Sequence, residues 1–428
     1  LNLYDFAEYE ILKDLKFKAS IAGNFYLQKY QSFRPVILDV NGRRSSADED
    51  YLTTNWTQED VLTYNKSFKD HAFSALAGFS VQSYTAETTR LAVLDNISDA
   101  IEISYAYGGG GMSKTYAIST SNSAYTWATA GFFGRINYDY SNKYFIAGNL
   151  RYDGSSRFGV DKRWGVFPSV SLGWRFSDEK FMNWMKPFVN DAKLRASYGV
   201  TGNQVAGNFA SYGLYSINYY ADMSGIYPSQ LENKNLGWEE TTQYNFGLDL
   251  NFLDGRINLI VDYYIKTTSD ILYRVKIPQT TGFNSVFRNV GDVRNHGWEF
   301  TVNTTNIRTR DFEWDTSLNL SFNKNKIVSV PEGGQQILDW VYLLDKGYPV
   351  GTMYGWKAQA VFPYDESNAF TSDWRQLTPV FDEKDRFTGY RLDGAPYDGE
   401  IQQLRFSTEN GQVFKGGDVM WEDVNKDG

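Results

Sequence analysis

The sharpest chemical spacing in the chain is its last hexamer, Asp423-Val424-Asn425-Lys426-Asp427-Gly428. Oxygen-bearing side chains fall at alternate positions and a glycine follows, the opening pattern of a calcium-binding loop of the EF-hand type. Asp423, Asn425 and Asp427 are therefore expected to bind Ca2+ and order the surrounding loop. Other chemistry has little material. The chain contains no cysteine and only two histidines, so disulfides, thiolate nucleophiles and cysteine-ligated metals are excluded. His296 is in phase with Trp298, Phe300 and Val302, and His71 precedes Phe73, so both read as wall or interface residues. The glycines at 108–111 are followed by Met112-Ser113-Lys114, which lacks the glycine–lysine–hydroxyl order of a phosphate-binding loop. Acidic pairs such as Glu239-Glu240 have no recognisable acid–base partner, and no enzyme is expected. A net charge of −9 without a basic run gives nucleic acid no electrostatic footprint.

The elements that must position any site are strands. From Thr241 to Phe252, Thr242, Tyr244, Phe246, Leu248, Leu250 and Phe252 alternate with Gln243, Asn245, Gly247, Asp249 and Asn251. Past the Asp254-Gly255 turn, Ile257, Leu259, Val261, Tyr263 and Ile265 alternate with Asn258, Ile260, Asp262, Tyr264 and Lys266. A third run sets Phe312, Trp314, Leu318, Leu320 and Phe322 against Glu313, Asp315, Asn319 and Asn323. Similar stretches are 15–30, 73–84, 132–140, 144–153, 166–175, 194–200 and 296–303, for roughly 12–14 strands in all. One wall meets an apolar medium; the other carries Asp249, Asp262, Glu299, Asp315, Arg151, Arg175, Lys193 and Arg195 and fits a wet lumen.

Several runs reach the nine to eleven residues or so that cross a bilayer when tilted. Lipid supplies no hydrogen bonds, so a spanning sheet has to close into a barrel. Tyr138, Tyr140, Tyr144, Tyr152, Trp164, Trp174, Tyr263 and Trp298 stand near strand ends, where interfacial girdles form. Short turns at 141–142, 253–256 and 306–311 alternate with long excursions at 87–130, 202–239, 267–294 and beyond 328. That asymmetry is expected of an outer-membrane barrel. The fold class is thus all-β, a large antiparallel transmembrane β-barrel with long extracellular loops. Residues 1–326 would form barrel strands with outward loops; 327–428 would add further strand and a large extracellular loop region ending in the calcium-like turn.

The ordered motifs carry a family resemblance. Asn149-Leu150-Arg151-Tyr152-Asp153-Gly154-Ser155-Ser156-Arg157-Phe158-Gly159, Arg163-Trp164-Gly165-Val166-Phe167-Pro168-Ser169 and Gly173-Trp174-Arg175 come first. Leu194-Arg195-Ala196-Ser197-Tyr198-Gly199-Val200-Thr201-Gly202-Asn203-Gln204, Leu236-Gly237-Trp238-Glu239-Glu240 and Asn289-Val290-Gly291-Asp292 follow. Together they resemble the barrel region of the SusC/RagA family of TonB-dependent outer-membrane transporters of Bacteroidota. The resemblance implies a barrel of about 22 strands, an N-terminal plug, energy delivered through TonB, and a SusD-like surface lipoprotein as lid. No signal peptide, plug or TonB-contact segment is recognisable, so the sequence is expected to represent part of such a receptor.

The implied function is import of a large nutrient, most simply an oligosaccharide, with a peptide as the alternative cargo. A passive porin and a soluble glycan-binding β-protein are the competing readings. Flat rings bury apolar ligand faces, which makes Tyr212, Tyr219, Tyr220, Tyr227, Tyr354 and Trp356 the candidate ligand contacts.

Overall fold

Alternation of this length builds one sheet. The computed structural model describes residues 1–94, 99, 117–204, 207–220, 223–330, 337–339, 341–405 and 413–421. The strands are β1 (Asn2–Leu12), β2 (Leu15–Arg34), β3 (Ser45–Phe68), β4 (His71–Leu94), β5 (Ala117–Tyr140), β6 (Tyr144–Ser155), β7 (Trp164–Arg175) and β8 (Val189–Asn203). A short hairpin of β9 (Leu214–Tyr220) and β10 (Met223–Gln230) precedes β11 (Glu239–Phe252) and β12 (Ile257–Ser269). A second, β13 (Leu272–Lys276) with β14 (Ser285–Asn289), precedes β15 (Asp292–Arg308) and β16 (Glu313–Ser329). Twelve of these form one antiparallel sheet in the order β1 to β8, β11, β12, β15, β16. The excursions after β8 and β12 return beside the strands they left, and the two hairpins lie within them.

Two compact units are present. One comprises residues 1–337 and 344–351, the other 338–343 and 352–428. The remaining strands are β17 (Ile337–Asp339), β18 (Tyr342–Leu344), β19 (Thr352–Met353), β20 (Ala358–Val361), β21 (Thr378–Phe381), β22 (Phe387–Leu392), β23 (Ala395–Tyr397) and β24 (Val419–Trp421), all in sheets of two or three.

Register turns the alternation into two walls. Directly opposed residues share a face. One row runs His71, Tyr140, Tyr144, Trp174, Leu194, Leu248, Val261, Phe300, Leu320 across nine strands. The adjacent row on the opposite face reads Asp139, Phe145, Gly173, Arg195, Gly247, Asp262, Glu299, Ser321. All eight girdle aromatics expected from the sequence fall on the apolar face. On β6 the girdles at Tyr144 and Tyr152 are eight residues apart, about 26 Å along the strand at ~3.3 Å per residue. At a tilt of roughly 40° that projects to about 20 Å, close to the apolar band of an outer-membrane barrel. Leu172 and Ile136, within the band, are 53% and 54% exposed, an apolar surface that water would not tolerate and lipid covers.

Short turns close one end. Ser141 and Asn142 both have φ of 55°, and Leu253 and Asp254 have φ of 51° and 55° before Gly255 at 86°. Left-handed pairs of this kind match the twist of a tight hairpin. Phe176–Asp178 and Lys180–Met185 form 3-10 turns.

The sheet departs from expectation at its other end. Residues 87–94 and 117–130 belong to an expected excursion, yet β4 and β5 run through them, and β3, β4 and β5 are 24 residues each. Above the bilayer both faces of a strand meet water, so Ser, Thr and Glu replace the apolar wall and the period-two signal vanishes. β1, which the same rule overlooks, carries apolar side chains on both faces: Leu3 and Tyr9 on one, Tyr4 and Phe6 on the other.

Candidate functional site

The polar face is built from charge pairs that its small residues admit. Arg195 donates to both carboxylate oxygens of Asp249 at 2.7 and 2.8 Å and reaches Asp262 on the next strand but one. The strand between contributes Gly247, in register with both Arg195 and Asp262. A Cβ there would stand 2.6 Å from the guanidinium carbon and from Asp262, so the glycine leaves the space the bridge occupies. Arg151 forms a second fork with Asp153, both bonds 2.9 Å, across the open face of Gly131. Arg157 takes no part in that fork and stands elsewhere.

Arg157 belongs to a rim where the sequence motifs meet. Phe158 and Leu236 are fully buried against Ala210, with Trp238, Leu272 and Phe287 packed around them. Gly159 lies against the Lys234 backbone; a Cβ would meet its carbonyl oxygen at 2.1 Å. The Asn289 side chain accepts from the Gly237 N–H at 2.8 Å and donates to the Gly237 carbonyl at 2.9 Å. Ser155 donates to the Gln204 side chain at 2.7 Å. The runs around Arg157, Gln204, Leu236 and Asn289 are thus four sides of one packed rim.

From that rim Arg157 extends over Trp127 of β5, its guanidinium carbon 4.5 Å from the ring centre. Trp127 stacks on Tyr84 of β4 at 5.4 Å and 18°, and Tyr84 approaches Tyr125 at 6.1 Å. The Tyr84 and Tyr51 hydroxyls lie 3.4 Å apart, and Tyr51 meets Tyr26 edge-on at 6.4 Å. Under the rings lie Thr53 and Ala86, 7% and 1% exposed. Register places these five rings on the polar face, in strand segments beyond the loop-end girdle. The shelf is flanked by Gln82, which donates to Asn55 at 2.9 Å. Such a surface stacks flat apolar groups and offers hydroxyls at its edges.

The sequence-derived candidates fall in both units. Tyr212 and Tyr227 are half exposed in the first unit. Pairing sets the backbone positions of Tyr220 and Tyr227 on one side of the β9–β10 ribbon and Tyr219 on the other. Tyr354 and Trp356 are exposed in the second unit. Asp423, Asn425 and Asp427 lie outside the described residues. Among those described, no group of three or more His, Asp or Glu is placed to hold a metal. His71 hydrogen bonds to the Tyr138 hydroxyl at 2.7 Å and stacks on Phe68, a wall role as expected.

The missed residues have a faint signal: Tyr26/Gln28, Tyr51/Thr53/Asn55, Gln82/Tyr84/Ala86 and Tyr125/Trp127 repeat every second position. Only the pairing of four strands turns it into a surface.

Residues 4–415 match the family model described as TonB dependent receptor-like, beta-barrel. TonB-dependent receptor P39 of Formosa agariphila is 39% identical over all of this chain and 40% of its own length. TonB-dependent receptor SusC of Bacteroides thetaiotaomicron is 41% identical over 54% of this chain and 23% of SusC. This chain belongs to the TonB-dependent receptor β-barrel family, in its SusC/RagA branch. It is an outer-membrane β-barrel protein, which sets aside the soluble reading of the same strands. A structure described as that of the RagAB peptide transporter superposes with a TM-score of 0.77 at 24% identity, over 94% of this chain and 44% of that one. The SusC/RagA-type chain thus shares that fold. It spans about two fifths of the length of P39.

Proposed function

We propose that this chain is the barrel part of an importer that carries a nutrient across the outer membrane, driven through TonB and assisted by a SusD/RagB-like surface lipoprotein. The observation that carries the reading is the partition of the twelve-stranded sheet. One face is made for lipid, and the other combines charge pairs at membrane depth with an aromatic shelf above it. Transport needs no covalent step. A ligand held at the shelf by stacking and hydrogen bonds would pass along a wall that carries the Arg151–Asp153 and Arg195–Asp249 pairs, with apolar side chains such as Phe145 and Ile260 between them.

Peptide is the cargo we favour. The neighbouring RagAB structure is described as a peptide transporter, and the shelf ends in an arginine suited to a carboxylate. Oligosaccharide, the first expectation from the sequence, is the second reading, favoured by the parallel Tyr84–Trp127 stack that would accept a sugar face. Uptake of labelled peptides and oligosaccharides by cells with and without the gene tests the reading. Loss of peptide uptake on deletion, and on collapse of the inner-membrane proton gradient, is the expected result. Gradient-independent uptake would make the protein a passive porin. We further propose that Asp423, Asn425 and Asp427 hold Ca2+ in the intact loop, supported by their alternate spacing before Gly428. Calorimetry on the full-length protein showing no calcium uptake would refute that.

A further inference from the structure

The five rings at 26, 51, 84, 125 and 127 form a surface with a direction. At the β2 edge, Tyr26 is 48% exposed, and among the described residues no cation stands over it or over Tyr51. At the other end stands the Arg157 guanidinium, half-buried on Trp127.

Its partners are few. Of five N–H donors, the described residues occupy one, a 3.4 Å bond from Nη1 to the Gln204 carbonyl, and the Nε is buried with no acceptor among them. No carboxylate pairs with it among the described residues, in contrast with Arg151, Arg175 and Arg195 on the same sheet. Burial draws its pKa downward, and the Tyr125 hydroxyl acts against that. The charge persists at neutral pH, because arginine starts far above it. A partly desolvated, unpaired guanidinium is costly, and a bidentate carboxylate removes that cost in a geometry that no acid among the described residues supplies.

We propose that the shelf of Tyr26, Tyr51, Tyr84, Tyr125 and Trp127 is a ligand site whose Arg157 end selects a peptide carboxylate, with the rings stacking on the residues before it. This rests on the importer reading and deepens it by naming the group of the cargo that is recognised, its free carboxylate. Direction follows from the layout: the carboxylate docks at β5 and the loop after β6, and the apolar part of the ligand extends toward β2. The rim around Phe158 and Leu236 holds the arginine's backbone, so substituting its side chain leaves that packing in place.

The test uses the full-length receptor purified in detergent. Titration calorimetry follows a tyrosine-containing pentapeptide with a free carboxyl terminus, the same peptide amidated, and trigalacturonate. The native protein should bind the free acid about tenfold or more tighter than the amide, the scale of one charge-assisted hydrogen bond. Arg157→Gln should erase that ratio and Arg157→Lys should keep part of it. Tyr84→Ala should weaken both peptides alike, with heat-modifiable migration on gels confirming a folded barrel in every variant. An unchanged acid-to-amide ratio in Arg157→Gln would overturn the inference and leave peptide import standing. Arg157-dependent binding of trigalacturonate without peptide binding would overturn the peptide assignment here and above. Peptide uptake abolished by gene deletion, with no binding loss in either the Arg157 or the Tyr84 variant, would place the cargo elsewhere in the protein and refute the shelf alone.

Discussion

Replacing Val170 by arginine tests the partition directly. Val170 lies on the apolar face of β7, opposite Gly148 and Tyr198, and is 43% exposed. Trp174 lies four residues away and Trp164 six, both on the same face. At ~3.3 Å per residue these are about 13 and 20 Å along the strand, or about 10 and 15 Å after projection at a tilt of roughly 40°. Val170 is therefore near the bilayer midplane, where an arginine on the lipid face costs about 2–4 kcal/mol. At ~1.4 kcal/mol per factor of ten, Val170→Arg should lower the folding equilibrium constant roughly 30- to 1000-fold. Ser171 is the control. It sits one step along the strand on the polar face, opposite Ala147 and Ser197, where an arginine meets water and should cost about 1 kcal/mol or less. Denaturant unfolding of the receptor in lipid vesicles, read by tryptophan fluorescence, measures both. Equal costs for the two substitutions, or a larger one for Ser171→Arg, would refute the assignment of faces.

Three further outcomes follow from the structure. Gly159→Ala places a methyl group against the Lys234 carbonyl and should loosen the rim, seen as faster protease cleavage between residues 204 and 239. Arg195→Met leaves Asp249 and Asp262 beside each other without their shared cation; because the side chain is about one third exposed, water screening holds the expected loss to roughly 1–2 kcal/mol by denaturant unfolding. In the β21–β22 turn, the backbone N–H groups of Arg386 and Lys384 and the Arg386 guanidinium hold the Asp382 carboxyl below its usual range. Ordering of that turn should be complete above the ordinary aspartate range near pH 4 and be lost as pH falls below it. Amide exchange at residues 382–386 checks the direction, and Asp382→Asn should remove the dependence.

How far the sequence reaches depends on what lies on either side of a strand. Tyr244, Phe246, Leu248 and Leu250 announce a membrane wall because lipid and water demand opposite chemistry at consecutive residues. Sequence alone therefore determined the all-β class, both faces of β6 to β8, the girdle residues, the tight turns and the family. Where water bathes both sides, as along the upper halves of β3 to β5, nothing periodic is required, and those strands are invisible until their partners pair with them. The same holds for the candidate site. Tyr212 and Tyr227 stood out because they are clustered along the chain, whereas Tyr26, Tyr51, Tyr84 and Trp127 are scattered over a hundred residues. Only strand register brings those four rings together, and only the packing of Phe158 against Leu236 sets Arg157 above them. Alternation is a local constraint that each strand must satisfy alone; a binding surface spread over four strands is fixed by hydrogen-bond register, which no single segment encodes.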